Sequence, residues 1–192
     1  MLVIPASDYR RMRWKNGGGE TAEIRVFPQD SGLDDFMWRI SSATIERDGP
    51  FSQFRDVDRT LAILEGKGLM LDIEGRGEIH LTADSLPFSF PADTPVHARL
   101  VDGPVVDLNV MTRRSVPGRV LMHSLASPLQ ISLGVGVNLL FSRSGEVRVT
   151  AGRLQASIGT GDTLIIDTYA RRARIEPREK SAEVFHIVIG LP

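Results

Sequence analysis

The sequence predicts an all-β protein whose 192 residues form two lobes in one compact chain. Short apolar runs alternate with a period of two, as Leu69, Leu71 and Ile73 do, which is the pattern of strands with a buried face. The 18 glycines and 11 prolines separate these runs at spacings of about 8–12 residues, which is typical of β-sandwiches and barrels. Long helical patterns are rare.

Alternating apolar residues mark the strands of both halves. In the first half these are Leu61 and Ile63, Leu69–Ile73, Ile79 and Leu81, Val96–Leu100, and Val106–Val110. In the second half they are Leu139 and Phe141, Val147 and Val149, Leu154–Ile158, and Leu164 and Ile166. The closing run Val184–Leu191 is apolar on both faces, which predicts an interior strand.

The stretch Arg113–Ser127 is interpreted as the crossing between the lobes. We therefore expect an N-terminal lobe over residues 1–112, which carries the candidate pocket, and a mainly structural C-terminal lobe over residues 113–192. The strand rhythm is similar in the two lobes, although internal sequence identity is weak.

Composition excludes several function classes. The chain has no cysteine, which excludes disulfides, thiolate metal sites and cysteine nucleophiles. Its four histidines form no local zinc motif, although distant positions could still assemble a site. No apolar run approaches the ~20 residues of a membrane span, and the charged N-terminus has no signal-peptide core, so we expect a cytoplasmic protein with no membrane partner. The net charge is −1. In the second half the basic residues are scattered apart from Arg171, Arg172 and Arg174, which are interpreted as a solvated turn because no aromatic residues for stacking lie beside them, so no nucleic-acid partner is expected.

The first candidate segment is Trp14-Lys15-Asn16-Gly17-Gly18-Gly19. Three glycines allow positive φ angles and a close approach of the backbone to another group. It is not a P-loop, because no Gly-Lys-Ser/Thr follows. Two interpretations stay open: a flexible turn before a strand, or a ligand-contacting loop that offers a ring, a charge and an amide.

The second candidate is Arg59, which falls in phase with Leu61 and Ile63 and should therefore point into the lobe. An unpaired buried charge costs several kcal/mol, so this guanidinium needs an anionic partner. Either a carboxylate such as Asp58 or Asp48 pairs with it permanently, or a ligand carboxylate does so transiently. A guanidinium matches a carboxylate bidentately, which lysine cannot do.

Two further strands carry polar residues on one face. In Phe36–Ala43, Trp38 is interpreted as a core residue, while Arg39 and Ser41 share the opposite face. In Asp107–Arg113, the residues Asp107, Asn109 and Met111 share a face. That face is either solvent-exposed or, because methionine is apolar, the wall of a partly dry pocket.

These residues resemble the HutD/Ves family across nearly the whole chain. The resemblance rests on Trp14–Gly19, Trp38–Ser41, Asp48-Gly49-Pro50-Phe51-Ser52, Asp58-Arg59, Leu64-Glu65-Gly66, Asp102-Gly103-Pro104 and Asp107-Leu108-Asn109-Val110-Met111. It implies a bacterial, cytoplasmic, two-lobed cupin (a bicupin of RmlC-like jelly-roll barrels) with no established reaction. HutD proteins are linked to histidine utilisation, which they are thought to restrain by binding an intermediate such as urocanate or formylglutamate. Ves-type members are linked to environmental stress.

The cupin resemblance also permits a test for a metal. Metal-binding cupins usually carry a His-x-His pair and a glutamate, but the corresponding positions here fall near Ser52, Phe54 and Asp58 or Arg59. Serine and phenylalanine cannot replace imidazoles as ligands of a transition metal. In the second lobe His186 is interpreted as a buried structural histidine. We therefore expect no catalytic metal and no cofactor.

The residues thus favour a metal-independent protein that binds a small anionic metabolite. The resemblance implies that this metabolite is one such as urocanate, formylglutamate or formiminoglutamate and that the protein modulates histidine utilisation. The predicted ligand-binding residues are Arg59, Trp14, Lys15, Asn16, Ser52, Phe54, Asn109 and Met111. No catalytic residue is assigned. A metal-free isomerase or hydrolase that uses an aspartate (Asp48, Asp58 or Asp107) is the alternative, and a structural protein with a filled barrel is a third. A homodimer is possible.

Overall fold

The computed structural model describes residues 1–15 and 17–190, and it confirms an all-β protein. Among the described residues the helical structure is one 3-10 turn at Ala6–Asp8, and none forms a helix long and apolar enough to span a bilayer. The strands are, in chain order, β1 Leu2–Ile4, β2 Arg10–Arg13, β3 Gly19–Phe27, β4 Trp38–Ile45, β5 Gly49–Pro50, β6 Val57–Glu65, β7 Leu69–Ile73, β8 Gly77–Leu81, β9 Phe88–Pro91, β10 Val96–Leu100, β11 Val105–Arg113, β12 Gly118–Leu125, β13 Leu129–Ser132, β14 Val137–Ser144, β15 Val147–Ala151, β16 Leu154–Ile158, β17 Thr163–Ile166, β18 Arg172–Pro177 and β19 Ala182–Ile189.

The chain folds into two compact units. The first unit is Arg10–Val116, and the second comprises Met1–Tyr9 and the chain from Pro117 onward. The predicted division at residue 112 differs from this at the N-terminus, because β1 pairs with β17 in the second unit. The Tyr9 hydroxyl reinforces that placement by donating to the Gly161 carbonyl at 2.7 Å. A three-residue strand is too short to show an alternation that would assign it to a sheet.

Two antiparallel sheets form the first unit. The larger has the strand order β2-β3-β4-β11-β6-β9 and the smaller β5-β10-β7-β8. Apolar side chains from both sheets meet in one core, in which Leu61 and Ile63 of β6 pack with Leu69 and Leu71 of β7. These are the residues whose alternation predicted the strands, and the alternation arises because successive side chains of a strand point to opposite faces.

The second unit also consists of two antiparallel sheets, β1-β17-β14-β19-β12 and β13-β18-β15-β16, around a separate apolar core. Strand β19 lies between β14 and β12 and is buried on both faces, which confirms the predicted interior strand, although Leu191 lies outside the described residues. The chain passes from one unit to the other between Val116 and Pro117, within the stretch Arg113–Ser127 that is interpreted as the crossing. The greater part of that stretch is nevertheless a strand, β12, which pairs with β19 over its full length. Strand β12 was not predicted because its apolar residues are sparse, and the strand is half-exposed in the structure.

His186 on β19 is a buried histidine, as predicted, with 1% of its surface exposed. Its Nε2 lies 3.2 Å from Asn138 Oδ1, and Asn138 Nδ2 donates to the Gly134 carbonyl at 2.8 Å. Because these bonds orient the amide, His186 Nε2 must be the donor, and the ring is neutral. Burial, together with smaller contributions from the nearby His123 and Arg119, lowers the pKa of His186 to about 4.

This histidine should make the second unit acid-sensitive. Because the folded pKa lies below the ordinary value of 6.5, its contribution to stability is complete above pH 6.5 and is lost as pH falls toward 4. As pH falls through this range, the unfolding free energy of the wild type should drop by on the order of 3 kcal/mol on account of His186. The variant His186→Gln should lack this drop. Urea titrations at pH 7 and 4.5 measure this, with the exposed His97→Gln as the control. Identical pH dependence in the wild type and His186→Gln would contradict it.

Candidate ligand-binding site

A cavity of about 710 Å³ lies in the first unit, within the range of ~300–1,000 Å³ typical of small-molecule sites. Its floor is formed by side chains of β2, β3, β4, β6 and β11, and its rim by residues of the intervening loops, including Trp14, Leu33 and Phe51. The lining includes cationic side chains, Arg10, Arg13, Lys15, Arg39 and Arg59, and two acidic ones, Glu23 and Asp107. The cavity therefore has an excess of positive charge.

Strand pairing arranges the floor in rows, because directly opposite residues of antiparallel strands point to the same face. Three rows cross β6, β11 and β4 in that order: Arg59, Met111 and Arg39; Leu61, Asn109 and Ser41; Ile63, Asp107 and Ala43. The two arginines thus belong to one row and Asp107 to the third, with Asn109 between them. Of the two interpretations of the polar face of β11, the structure therefore supports the pocket: this face is part of the cavity floor.

Arg59 is buried on this floor with 6% of its surface exposed, in phase with Leu61 and Ile63 as predicted. Its Nη2 donates to the Ser52 carbonyl at 3.1 Å, while its buried Nε has no hydrogen-bond partner among the described residues. Burial lowers the pKa of Arg59 to about 10, and the positive charge of Arg39 adds to this, although Asp107 opposes it. The guanidinium remains charged at neutral pH.

The carboxylates proposed as permanent partners of Arg59 lie elsewhere. Asp58 faces outward and pairs with Arg114 at 3.4 Å, and Asp48 accepts the backbone N–H of Leu100 at 2.8 Å. Within residues 1–15 and 17–190, no carboxylate oxygen lies within 4.0 Å of the Arg59 guanidinium. A direct ion pair with either aspartate is therefore excluded in this structure.

Three aromatic rings surround the Arg59 guanidinium instead. Its Cζ lies 5.0 Å from the ring centroid of Phe51, 5.5 Å from that of Phe54 and 6.0 Å from that of Phe90. Aromatic faces attract a cation but satisfy none of its N–H donors. The rings therefore hold the guanidinium in place while leaving it able to bind an anion.

Asp107 is the second buried charged group of the floor, with 1% of its surface exposed. Asn109 Nδ2 donates to its Oδ1 at 2.5 Å. Burial raises the pKa of Asp107 to about 7, even though the positive charge of Arg59 and the hydrogen bonds from the Ala43 backbone and the Asn109 side chain oppose this rise. Near neutral pH this carboxyl group is therefore divided between its protonated and ionised forms.

The structure adds an ion pair that the sequence analysis did not assign to the site. Arg39 Nε and Glu23 Oε2 lie 2.7 Å apart, and both side chains are largely buried against the cavity. Arg39 shares a strand face with Ser41, which the sequence indicated, but its partner comes from β3, where a bulge between Glu23 and Arg25 interrupts the register. Trp38 on the other face is a core residue, as interpreted, and stacks on Phe27 at 5.8 Å.

The glycine-rich segment forms the turn that leads from β2 into β3. Gly17 has a φ of +67°, and the backbone N–H of Trp14 bonds to the Gly19 carbonyl at 2.9 Å. The Trp14 indole donates to Thr21 Oγ1 at 2.8 Å, which fixes the ring at the cavity. The described part of this segment is thus a turn, and its Trp14 and Lys15 line the cavity. Contact of this segment with a ligand stays a prediction.

Gly19 should not tolerate a side chain. A Cβ there would lie 2.0 Å from the Thr44 carbonyl oxygen on the neighbouring strand, so the close approach made by this glycine is to β4. We expect Gly19→Ala to destabilise the first unit by about 1–3 kcal/mol, because the backbone must move to accept the methyl group. Chemical denaturation measures this, and Gly49→Ala, which meets open space, is the matched control. Equal stability of the two variants would contradict this.

Seven of the eight predicted binding residues line this one cavity. Ser52 contributes its carbonyl, Phe54 packs edge-on against Phe36 at 6.0 Å, Met111 is buried in the floor, and Lys15 is exposed at the rim. Asn16 lies outside the described residues. Whether these side chains bind a ligand stays a prediction.

The donor set of this cavity does not fit a transition metal. No histidine is found among its described lining residues. Across residues 1–15 and 17–190, no three His, Cys, Asp or Glu side chains come together as a potential metal site. Guanidinium, phenyl and backbone carbonyl groups cannot substitute for imidazole ligands.

The fold and the cavity define an all-β protein with a cation-lined pocket. Oxalate decarboxylase from Bacillus subtilis has a similar fold, with a TM-score of 0.70 at 9% identity over 98% of this chain and 77% of that chain. The chain belongs to the HutD family, whose model matches residues 6–184.

Individual relatives agree with that membership and confirm the HutD/Ves resemblance. An uncharacterized 21.2 kDa protein from the hutC 3′ region of Pseudomonas putida is 36% identical over 172 residues, 87% of each chain. Protein Ves of Citrobacter koseri is 44% identical over 112 residues, 56% of each chain. The structure of HutD from Pseudomonas fluorescens has a TM-score of 0.81 at 29% identity over 98% of both chains.

Proposed function

We propose that the protein binds a small carboxylate metabolite in the cavity of the first unit, without a metal. The supporting observation is Arg59, a buried guanidinium that, within the described part of the chain, has an unpartnered Nε and no carboxylate within 4.0 Å. An uncompensated buried charge costs several kcal/mol. A ligand carboxylate would compensate it through two parallel N–H···O bonds, the geometry that arginine favours.

The other candidate residues give this ligand its remaining contacts. Asn109 offers an amide in the row next to Arg59, and Trp14, Phe54 and Met111 offer apolar walls. Pockets of this kind combine apolar surface with a few polar groups that fix the orientation of the ligand. Lys15 at the rim would add attraction for an anion in solution.

We also propose a bicupin architecture for the two units. The two units correspond to the two lobes of a bicupin, in which the first carries the ligand pocket and the second is mainly structural. The likeness to oxalate decarboxylase supports a cupin fold. The apolar core of the second unit, in which Leu140, Val149 and Val184 are fully buried, supports its structural role.

The names of the relatives suggest which carboxylates to test. The Pseudomonas putida protein is named after the hutC region, and the Pseudomonas fluorescens structure is named HutD. We therefore propose urocanate, formylglutamate and formiminoglutamate as candidate ligands and the modulation of histidine utilisation as the role. Each carries the carboxylate that Arg59 requires.

Isothermal titration of the three candidates into the full chain tests this function. We expect at least one to bind, and an analogue whose carboxylates are replaced by amides to give no measurable heat. Absence of binding by all three acids, or equal binding of the neutral analogue, would refute the assignment.

Asp107 supports an alternative, a metal-free isomerase or hydrolase. Of the three aspartates considered for acid–base chemistry, Asp48 and Asp58 have other partners, whereas Asp107 lines the cavity and its pKa is raised to about 7. A general acid or base works best with a pKa near the working pH. Turnover of a bound candidate, abolished in Asp107→Asn, would favour catalysis over simple binding.

A further inference from the structure

Arg59 and Asp107 are buried groups of opposite charge that line one cavity without direct contact. Both are buried, at 6% and 1% exposure, and each affects the ionisation of the other. Among the described residues they make no direct contact within 4.0 Å. They lie two rows apart on the floor, with Asn109 in the row between them.

A ligand carboxylate bound to Arg59 would change the ionisation of Asp107. It would neutralise the positive charge that favours the ionised form of Asp107, and it would place a second negative charge in the same buried space. Two carboxylates that share one poorly solvated site do not both ionise readily, and one of them takes up a proton. The ligand carboxylate keeps its charge because it would contact the guanidinium directly.

We propose that Asp107 is a specificity-determining residue: the ligand carboxylate enters together with one proton from solvent, which is held on Asp107. This inference rests on the proposed function. The protonated carboxyl group then has an O–H to donate, while its Oδ1 still accepts from Asn109. The pocket therefore selects a small acid whose far end carries a hydrogen-bond acceptor, such as an amide oxygen or a second carboxylate.

The other charged groups of the cavity are paired or cationic. Glu23 on β3 forms an ion pair with Arg39 on β4 at 2.7 Å. Arg10 and Arg13 on β2, Lys15 in the following loop and Arg59 on β6 are the cationic side chains of the lining. Asp107 on β11 is thus the acidic group of the described lining that lacks an ion-pair partner within 4.0 Å, so the proton is assigned to it.

The sign of the pH dependence follows from this linkage. Below the pKa of ligand-free Asp107, about 7, the proton is already present and binding takes up little. Above it, each bound ligand takes up about 0.5–1 proton, and the association constant falls by up to about tenfold per pH unit. Binding should therefore be tightest in mildly acidic solution.

Proton uptake can be counted by titrating formylglutamate into the full chain at pH 8 in buffers of different ionisation enthalpy. This ligand has no group that titrates between pH 6 and 8.5, so any proton comes to the protein. We expect an uptake of about 0.5–1 proton in the wild type and none in Asp107→Asn. Asp72→Asn, which removes an exposed carboxylate from β7, is the matched control and should retain the uptake.

The outcomes separate the two proposals. Binding of formylglutamate with no net proton uptake in the wild type would overturn the role of Asp107 and leave the binding function intact. Equal uptake in Asp107→Asn would assign the proton to another group and also overturn it. If formylglutamate does not bind but another candidate acid does, the selectivity assigned to Asp107 is overturned and the binding function stands. If none of the three candidate acids binds, both are overturned. The wild-type measurement decides even if Asp107→Asn does not fold.

Discussion

Replacing Arg59 with alanine is expected to weaken the binding of a carboxylate ligand by about 2–5 kcal/mol, the range for removing one side of a buried charge pair. This corresponds to a Kd larger by roughly 30-fold to a few thousandfold. The effect should be this large because the guanidinium is buried among aromatic rings, where a lost ion pair is not replaced by water. Isothermal titration of the variant and the wild type measures it.

Two further variants locate the effect in the guanidinium. Arg59→Lys keeps the charge but loses the bidentate geometry, so its affinity should fall between those of the wild type and Arg59→Ala. Arg55→Ala removes a fully exposed arginine of the same unit and should leave the affinity unchanged. If Arg59→Ala bound as tightly as Arg55→Ala, the guanidinium would not be the anchor. Thermal unfolding of each variant verifies that the fold persists.

The position of Arg59 could be predicted because β6 has one strongly marked face. Leu61 and Ile63 identify the buried side, Asp58 the exposed side, and a period of two then places Arg59 inside. The identity of its partner could not be predicted in the same way. Asp58 is adjacent in sequence, but adjacent strand residues point to opposite faces, and Asp58 pairs with Arg114 instead.

Strand β11 shows the limit of reading one strand at a time. Both of its faces are buried: Leu108 and Asp107 each have 1% of their surface exposed. Whether a polar face meets water or a cavity depends on the strands beside it, here β4 and β6, and on the loops above them. The Arg39–Glu23 pair has the same origin, since it joins two strands across a bulge.

The strands that sequence analysis missed are β1 and β12, each of which pairs with a strand far away in the sequence. Strand β1 is three residues long and joins β17 across more than 150 residues, and β12 has a half-exposed pattern that does not identify it as a strand. Local periodicity reports which residues can be buried together, but it does not report which strand a short segment will join. The core strands, which are long and strongly alternating, are therefore the predictable part.

The floor of the cavity combines features that a stable core avoids, since it buries an arginine and an aspartate without joining them. If Asp107 is uncompensated in the ligand-free protein, it should cost stability in a pH-dependent way. Its folded pKa of about 7 exceeds the ordinary value of 3.8. Between pH 3.8 and 7 the folded state therefore keeps a proton on Asp107 that the unfolded chain has released. As a result the unfolding free energy falls as pH rises from about 4 to 7.

Asp107→Asn should consequently gain stability relative to the wild type as pH rises. We expect the difference in unfolding free energy between the variant and the wild type to increase by on the order of 4 kcal/mol from pH 4 to pH 7 and then to level off. Taking the difference removes the contribution of His186, which has the opposite sign and is present in both proteins. Urea unfolding at a series of pH values measures it, with Asp72→Asn as the control. A difference that stays constant with pH would mean that the pKa of Asp107 is not raised in the folded protein, which would contradict this prediction.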